Sequence, residues 1–598
     1  MTEAIPRSVF ASLPRTTRGT PIVLGGDPKG KNFLYTNNNS VIIRNISNPT
    51  EADIYTQHSC NTITAKYSPS GFYIASGDVS GKVRIWDTVN REHILKNEFQ
   101  PLGGAIKDIA WSGDSQKIAV CGEGREKFAH VFAMDTGTSV GDLIGLGKTC
   151  NSISFKEQRP FKIVVGCEDK SVSFFEGPPF KFKLSLKDHT NFVNVVRYSP
   201  DSNIFISGGA DGRALIYDGK SAESVGELGN PAHKGGIYSI CFSPDSKQVL
   251  TVSGDKTAKI WDLGSKELVT TFEVGNTVED MLVGCLWQGE NIVAVALSGF
   301  IYYLNKNDPS TPVRIIKGHN KPITTLALSE DRSTIYTADQ IGRIVIWNAI
   351  SGDNDIFEGK GHGGQVQDMT VADGNLITVA MDDTIRFTSL SQKQYGDNST
   401  KLDSMPRAVA AHSGLVAIAC INHIVVFRNG SKLLSQGVKF EPVSVDILHG
   451  GSLIAIGGEK DNKVHIYDVS SGGLSEVKVI DNSAAAMDVK FSPDGQFIAT
   501  AGADKYVRCY SMPDYENIFS YPGHTAKVTC LAWSPDSSRF ATGGLDTHLV
   551  IWQPGKGMSP KTIKGAHPMS VINKIAWLND SVLVSAAQDS NVKQWDIQ

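Results

Sequence analysis

The sequence predicts an all-β protein of two seven-bladed β-propellers in tandem, fourteen repeats in all. Three observations carry that expectation. A strand ending in an aromatic residue recurs along the whole chain, Ser-Pro turns fall at a fixed place within the period, and a His–Ser/Thr–Asp–aromatic spacing returns in several repeats.

The aromatic strand is clearest as VRIWD (Trp86), ALIYD (Tyr217), AKIWD (Trp261), IVIWN (Trp347), VHIYD (Tyr467), LVIWQ (Trp552) and VKQWD (Trp595). Weaker copies at Phe132, Phe175, Tyr303, Phe387, Phe427 and Tyr510 fill the gaps, and one around Ile43 precedes them. The mean interval is about 42 residues, the WD40 period. Propellers typically close with four to eight blades, so fourteen repeats divide into two sevens. The expected domains are 1–311 and 312–598. Because the chain stops just after the third strand of its last blade, each ring must borrow a strand to close. Ile5–Leu13 is expected to close the first ring and 312–318 the second, with the crossed arrangement as the alternative.

Within a repeat, Ser-Pro turns at Ser68, Ser199, Ser243, Ser492 and Ser534 should join the first two strands, since proline pre-sets the turn dihedral. Four repeats carry the full polar series: His189, Ser207, Asp211, Tyr217; His233, Thr251, Asp255, Trp261; His524, Thr542, Asp546, Trp552; and His567, Ser585, Asp589, Trp595. The spacing invites a reading as a hydrolase triad, but an enzyme needs one site and this set repeats. Inside a blade these groups can satisfy one another, where an unpaired buried polar group would cost about 1–3 kcal/mol. They are expected to be structural.

Composition narrows the function. A formal net charge of −4 gives no reason to expect nucleic acid or an anionic membrane. Hydrophobic residues make up 40%, as in soluble globular proteins, and no apolar run approaches the ~20 residues of a membrane helix. The start, MTEAIPRSVF, lacks the pattern of a secretion signal, so the Asn398-Ser399-Thr400 sequon carries no weight. Nine scattered cysteines without a CxxC indicate a reducing compartment rather than a disulfide scaffold. Gly25-Gly26-Asp27-Pro28-Lys29-Gly30-Lys31 matches part of a phosphate-binding loop, but Asn32 and a strand follow where Ser/Thr and a helix are needed. It reads as a tight strand connection. Neither a metal site, a cofactor nor a small-molecule substrate is expected.

Departures from the repeat concentrate in blades three and four. Blade three has a longer charged loop, Glu123-Gly124-Arg125-Glu126-Lys127, and blade four has Glu168-Asp169-Lys170 at the same place. Blade four then runs EGPPFKFKLSLKDHTNFV. Phe180, Phe182, Leu184 and Leu186 share one strand parity and could pack on the blade, with Lys181, Lys183 and Lys187 solvated. Alternatively, Phe182 or Phe192 is an exposed anchor for a partner. Asp169 could equally be the turn Asp of its blade.

TPIVLGGDPKGKNFLYTNNNSVIIRNI, GEGREKFAHVF and EGPPFKFK resemble members of the actin-interacting protein 1 family (WD-repeat protein 1), and the resemblance covers essentially the whole chain. It implies two seven-bladed propellers in an open clamshell. The implied activity is binding to actin filaments decorated with cofilin (actin-depolymerising factor), promoting severing and disassembly, with capping of filament ends. The implied surface carries Glu126, Phe182 with its neighbour Lys181, Phe192, and an acidic position at Glu168 or Asp169. It also implies a monomer in the cytoplasm, on actin-rich structures, with no catalysis. A general scaffold for ubiquitin-ligase or trafficking assemblies would bring extra domains or helical tails, of which the sequence shows almost none. A propeller enzyme would need non-repeated acids or histidines converging on a central channel, and the sequence reveals no such set.

Overall fold

A computed structural model describes residues 6–90, 92–396, 399–470, 472–555 and 560–597. Ile5, at the start of the expected closing strand, and Asn398 of the sequon lie outside them. The described residues form fourteen antiparallel four-stranded sheets, each a blade with strands a, b, c and d from its inner to its outer edge. Seven blades belong to a unit spanning Leu13–Asn320, here the first ring. The other seven belong to a unit made of Lys321 onward together with the residues up to Ser12, the second ring. The fold is therefore two seven-bladed propellers.

The core of each ring lies between blades, where neighbouring sheets press their apolar faces together. Ala75, Val83 and Ile85 of blade two pack on Ile106, Ile109, Trp111 and Phe132 of blade three, all buried. The a–b turns repeat one device. The first Ser accepts or donates across the turn, as in Ser199 Oγ to Asp201 Oδ1 and Ser534 Oγ to Asp536 Oδ1, both 2.6 Å. The fourth residue takes the left-handed conformation, with φ of 62° at Ser202 and 71° at Gly71. The Gly25–Lys31 segment is a short strand, Gly25–Gly26, and a turn leading into strand Asn32–Asn37, a strand connection.

The polar series closes inside the blades. In the four full sets His Nε2 lies 2.7–2.8 Å from the Ser or Thr hydroxyl. His Nδ1 lies 2.8–3.0 Å from the nearer Asp oxygen. Trp261, Trp552 and Trp595 each donate Nε1–H to that hydroxyl at 2.9 Å. Blade five differs: the Tyr217 hydroxyl extends past Ser207 and donates to Asp188 Oδ2 at 3.0 Å. Other sets depart from that spacing, as in blade nine, where His362 meets Thr378 and Asp382. His58, Ser76 and Trp86 use Asp78, two residues earlier than expected. In blade twelve Asn482 takes the histidine's place, accepting from Thr500 at 2.8 Å and Tyr510 at 3.2 Å.

Ring closure is the reverse of the expected one. Arg314–Ile316 pairs with Ile301–Tyr303 and completes blade seven of the first ring. This is a local hairpin return, and its short loop costs less closure entropy than a distant partner would. Blade eight has its own outer strand, Asn354–Ile356. The edge left over is that of Val592–Asp596 in the last blade, and Ser8–Phe10 pairs with it. The domain boundary shifts accordingly, from 311/312 to 320/321, with the N-terminal strand moving to the second ring. Phe10 is buried and stacks on Trp347 of blade eight at 5.4 Å, joining the last blade to the first of that ring.

One cysteine pair departs from the free thiols expected of a reducing compartment: Cys150 and Cys167, on adjacent strands of blade four, are bonded.

Phe10→Ala is expected to cost about 3–5 kcal/mol. Hydrogen–deuterium exchange should quicken at 592–596 and 344–348 and stay unchanged at 301–316. Faster exchange at 301–316 instead would contradict this closure.

Candidate functional site

Antiparallel order places the b–c and d–a loops on one face of a ring and the a–b and c–d loops on the other. Glu126 sits in the b–c loop of blade three, between Lys117–Gly122 and Ala129–Ala133, and is exposed. The loop folds tightly at Gly124, where a Cβ would fall 1.9 Å from the Lys127 carbonyl oxygen. Lys127 Nζ and His130 Nδ1 meet Asp142 Oδ1 at 2.5 and 2.7 Å, tying strand c to the outer strand.

Glu168 and Asp169 occupy the b–c loop of blade four, between Lys162–Cys167 and Val172–Glu176. Glu168 is half-buried, and Lys107 Nζ bridges it at 3.3 Å to Glu123 at 3.7 Å. Asp169 is exposed and caps its turn, accepting from Ser171 N at 3.1 Å and Ser171 Oγ at 2.5 Å. Phe192, on the d–a loop before Val193–Tyr198, is 45% exposed. Its amide donates to Asn191 Oδ1 at 2.9 Å and its carbonyl accepts from Ala210 N at 2.8 Å. These four residues share one face.

Lys181 and Phe182 do not join them. They open strand d of blade four, Lys181–Leu186, at the end nearer the other face. The Phe/Leu parity also breaks. Phe175 pairs with Phe182 and Phe174 with Leu184, so Lys183 is a bulge residue and turns Phe182 away from the side of Leu184 and Leu186. Phe180 is buried against Phe155 at 5.5 Å. Leu184 and Leu186 pack on the Phe174 cluster. Phe182 leans edge-on against Phe175 at 5.9 Å and stays 48% exposed. Gly145 backs its ring, and Ile144 beside it is 76% exposed. Glu176 is shared by Lys162 at 2.5 Å and Lys183 at 3.8 Å.

The inner strands hold charges that sequence reasoning missed. In the first ring Asp108 is fully buried and accepts from Lys66 Nζ and Arg197 Nη1, both at 2.8 Å, and from Ser152 Oγ and Ile153 N at 2.9 and 3.0 Å. Burial would raise its pKa, but Arg197 and Lys66 win and hold it at about 2. Burial, helped by Arg197, pushes Lys66 down to about 8 despite Asp108. In the second ring Asp368 accepts from Lys574 Nζ at 2.8 Å and Thr325 Oγ1 at 2.9 Å. Asp446 accepts from Lys490 Nζ at 3.0 Å. Burial raises the pKa of Asp488, although Lys490 and Lys574 pull it down. So charged groups do converge on the channel, contrary to expectation. The carboxylate of Asp108, which also accepts from Ile109 N at 2.9 Å and so has five donors on it, has no acceptor site left for proton abstraction. The readable signal was one or two charges inside each otherwise apolar inner strand: TITAKY, IKDIAW, VNVVRY, AMDVKF. Among the described residues no three His, Cys, Asp or Glu side chains gather as metal ligands would.

The family model for the WD domain, G-beta repeat, matches residues 50–87, 180–218, 223–262, 310–348, 475–511, 515–553 and 558–596. With fourteen blades in two rings, the chain is a WD-repeat double propeller. Its likeness to known proteins runs end to end. It is 50% identical over 596 residues to actin-interacting protein 1 of Drosophila melanogaster, covering 99% of this chain and 98% of that one. WD repeat-containing protein 1 of Gallus gallus is 47% identical over 600 residues, covering 99% and 98%. That of Xenopus tropicalis is 48% identical over 600 residues, covering 99% of both. The chain belongs to the actin-interacting protein 1 (WD repeat-containing protein 1) family.

Lys66, at about 8 in the fold and 10.5 unfolded, opposes folding while charged, so the first ring should gain stability as pH rises from about 8 to 10.5. Asp108 works the other way, supporting the fold above 3.8 and withdrawing that support as pH falls toward 2. Lys66→Met, which leaves Asp108 paired with Arg197, should abolish the alkaline gain without lowering the melting temperature at pH 7. Asp108→Asn should cost about 3–5 kcal/mol, because two partly buried cations lose their buried counter-charge. Thermal melts across pH would show both, and an unchanged alkaline gain in Lys66→Met would refute the assignment.

Proposed function

We propose that this protein binds actin filaments and cooperates with cofilin to sever and disassemble them, capping filament ends as well, as a monomer in the cytoplasm on actin-rich structures. The observation that carries the reading is full-length identity of 50% to a protein whose name declares an interaction with actin. The partner surface on this reading comprises Glu126, Glu168, Asp169 and Phe192 on one face of the first ring, and Lys181 and Phe182 on the outer wall of blade four.

Support comes from where the repeat fails. Phe182 and Phe192 remain 48% and 45% exposed in a ring that buries most of its aromatics. Burying one phenylalanine at an interface contributes roughly 1.5–3 kcal/mol, enough for a hot spot. The split between face and wall suits a partner that presents more than one surface, as neighbouring subunits of a decorated filament do.

The protein breaks no covalent bond on this reading. It acts by preferring the filament geometry that cofilin imposes, and a ligand shifts an equilibrium only through its differential affinity for the two states. Binding must therefore be tighter to cofilin-decorated than to bare filaments.

Time-resolved imaging of labelled filaments tests the reading directly. Severing should accelerate only when the protein and cofilin are both present. Phe182→Ala and Phe192→Ala should each weaken binding to decorated filaments by about tenfold or more, and Glu126→Ala by less. No difference between cofilin alone and the pair, or equal affinity for bare and decorated filaments, would return the function to that of a general scaffold.

A further inference from the structure

The a–b turns supply an internal comparison. Turns beginning at Ser112, Ser199, Ser243, Ser329, Ser492 and Ser534 carry a polar residue at the fifth position: Gln116, Asn203, Lys247, Ser333, Gln496 and Ser538. In the turn beginning at Ser68 that position is Phe72, 53% exposed. The third position is aspartate in the six and Ser70 here. A phenylalanine left half in water gains little for folding where six sister turns use polar side chains. A local rule broken without compensating burial points to function.

Phe72 forms one wall of an open cleft of about 420 Å³ between blades two and three, with Pro69, Tyr73, Asp114, Gln116 and Met134. Ser70 N donates to Ser115 Oγ at 3.1 Å and clasps the two turns together. The cleft lies on the a–b face, opposite the loops of Glu126, Glu168 and Phe192. Its size suits one large apolar side chain.

The charges around it say what should accompany that side chain. Lys29, from the Gly25–Lys31 connection of blade one, places Nζ 5.1 Å from the centre of the Phe72 ring. Lys96 Nζ lies 4.4 Å from the centre of the Tyr73 ring and 3.2 Å from its hydroxyl. Neither lysine meets a carboxylate among the described residues. Asp114, the carboxylate on the cleft wall, is engaged by Lys117 at 3.5 Å and Arg159 at 3.4 Å. Serine at position 70 removes the carboxylate that blade two would otherwise contribute. Two positive charges, neither paired with a carboxylate among the described residues, thus sit against the two aromatic rings that line the cleft.

We propose that this cleft is a docking site for an acidic peptide segment of a partner protein, with one aromatic or long aliphatic anchor inserted against Phe72 and its carboxylates on Lys29 and Lys96. The site is independent of the surface proposed for actin.

Fluorescence anisotropy with the full chain tests it. The probes are a labelled Glu/Asp-rich dodecamer with one central Trp, the same peptide with Ala for Trp, and a version with Lys for every acid. The acidic Trp peptide should bind, more weakly as salt rises, and at least about tenfold more tightly than either control. Phe72→Gln, which installs the residue type of the sister turns, should lose tenfold or more with an unchanged melting temperature. Lys29→Glu with Lys96→Glu should do the same. Equal binding by the Lys peptide, no binding at all, or identical affinity in wild type and Phe72→Gln overturns the proposal. So does a dimer that Phe72→Gln dissociates in sedimentation, which would make a second copy the occupant.

Discussion

Everything in this molecule depends on closing each ring. A blade hides its apolar faces only when it has a neighbour on both sides, so an incomplete blade would leave edge strands and half a core in water. The second ring closes with Ser8–Phe10, more than 580 residues before the strand it pairs with, and Phe10 on Trp347 carries the packing across the join. The first ring closes through the nearby return of Arg314–Ile316. The two solutions differ in entropy: one is a hairpin, the other a contact between chain segments far apart in sequence. Only once both exist do the inner strands hold their fixed spacing, and the charges on those strands depend on that spacing.

Polar groups then divide between two jobs. Within blades, the His–Ser/Thr–Asp–Trp sets cross-link strand c, strand b and the incoming loop, satisfying donors that packing would otherwise strand. Between blades, Asp108 draws Lys66 from one side and Ser152, Ile153 and Arg197 from the other, fastening four inner strands at one point. Such a node contributes little net stability compared with well-packed apolar residues, since desolvating three charges offsets most of the attraction. What it does supply is register: an inner strand slipped by one residue would bury an unpaired charge.

Periodicity made the fold legible. The aromatic strand ends, the Ser-Pro turns and the polar series recur often enough that a weak copy such as Phe132 can be placed by its neighbours. Closure was not legible, because Ser8–Phe10 and Arg314–Ile316 are three-residue strands without a repeat signature, and only the pairing energetics of the leftover edge decides between them. The tetrad of blade two was half legible, since Asp78 precedes the expected position by two residues. The bulge at Lys183 was invisible for a different reason. Alternating Phe and Lys fits an unbroken strand, and only the register against Phe174 and Phe175 shows that Phe182 faces another way from Leu184. The channel charges were visible as letters but not as a set, because their meeting requires blades to be brought side by side.

That same contrast explains why function in a repeat protein is best sought where the repeat fails. A repeated position is constrained by what every blade needs, so its residues report on folding. At Phe182 the bulge itself is shared with other blades, and the departure is the exposed aromatic it carries, where the same register shift presents Leu95, Ser139, Ser224 or Leu268. At Phe72 it is an aromatic on a turn whose sisters are polar, beside a lysine from a neighbouring blade. The first ring gains little core from either residue, and each keeps roughly half its surface in water. An exposed aromatic costs solubility without strengthening the fold, so its place is best accounted for by something outside the chain. The two sites lie on different blades, one on the wall of blade four and the other between the a–b turns of blades two and three.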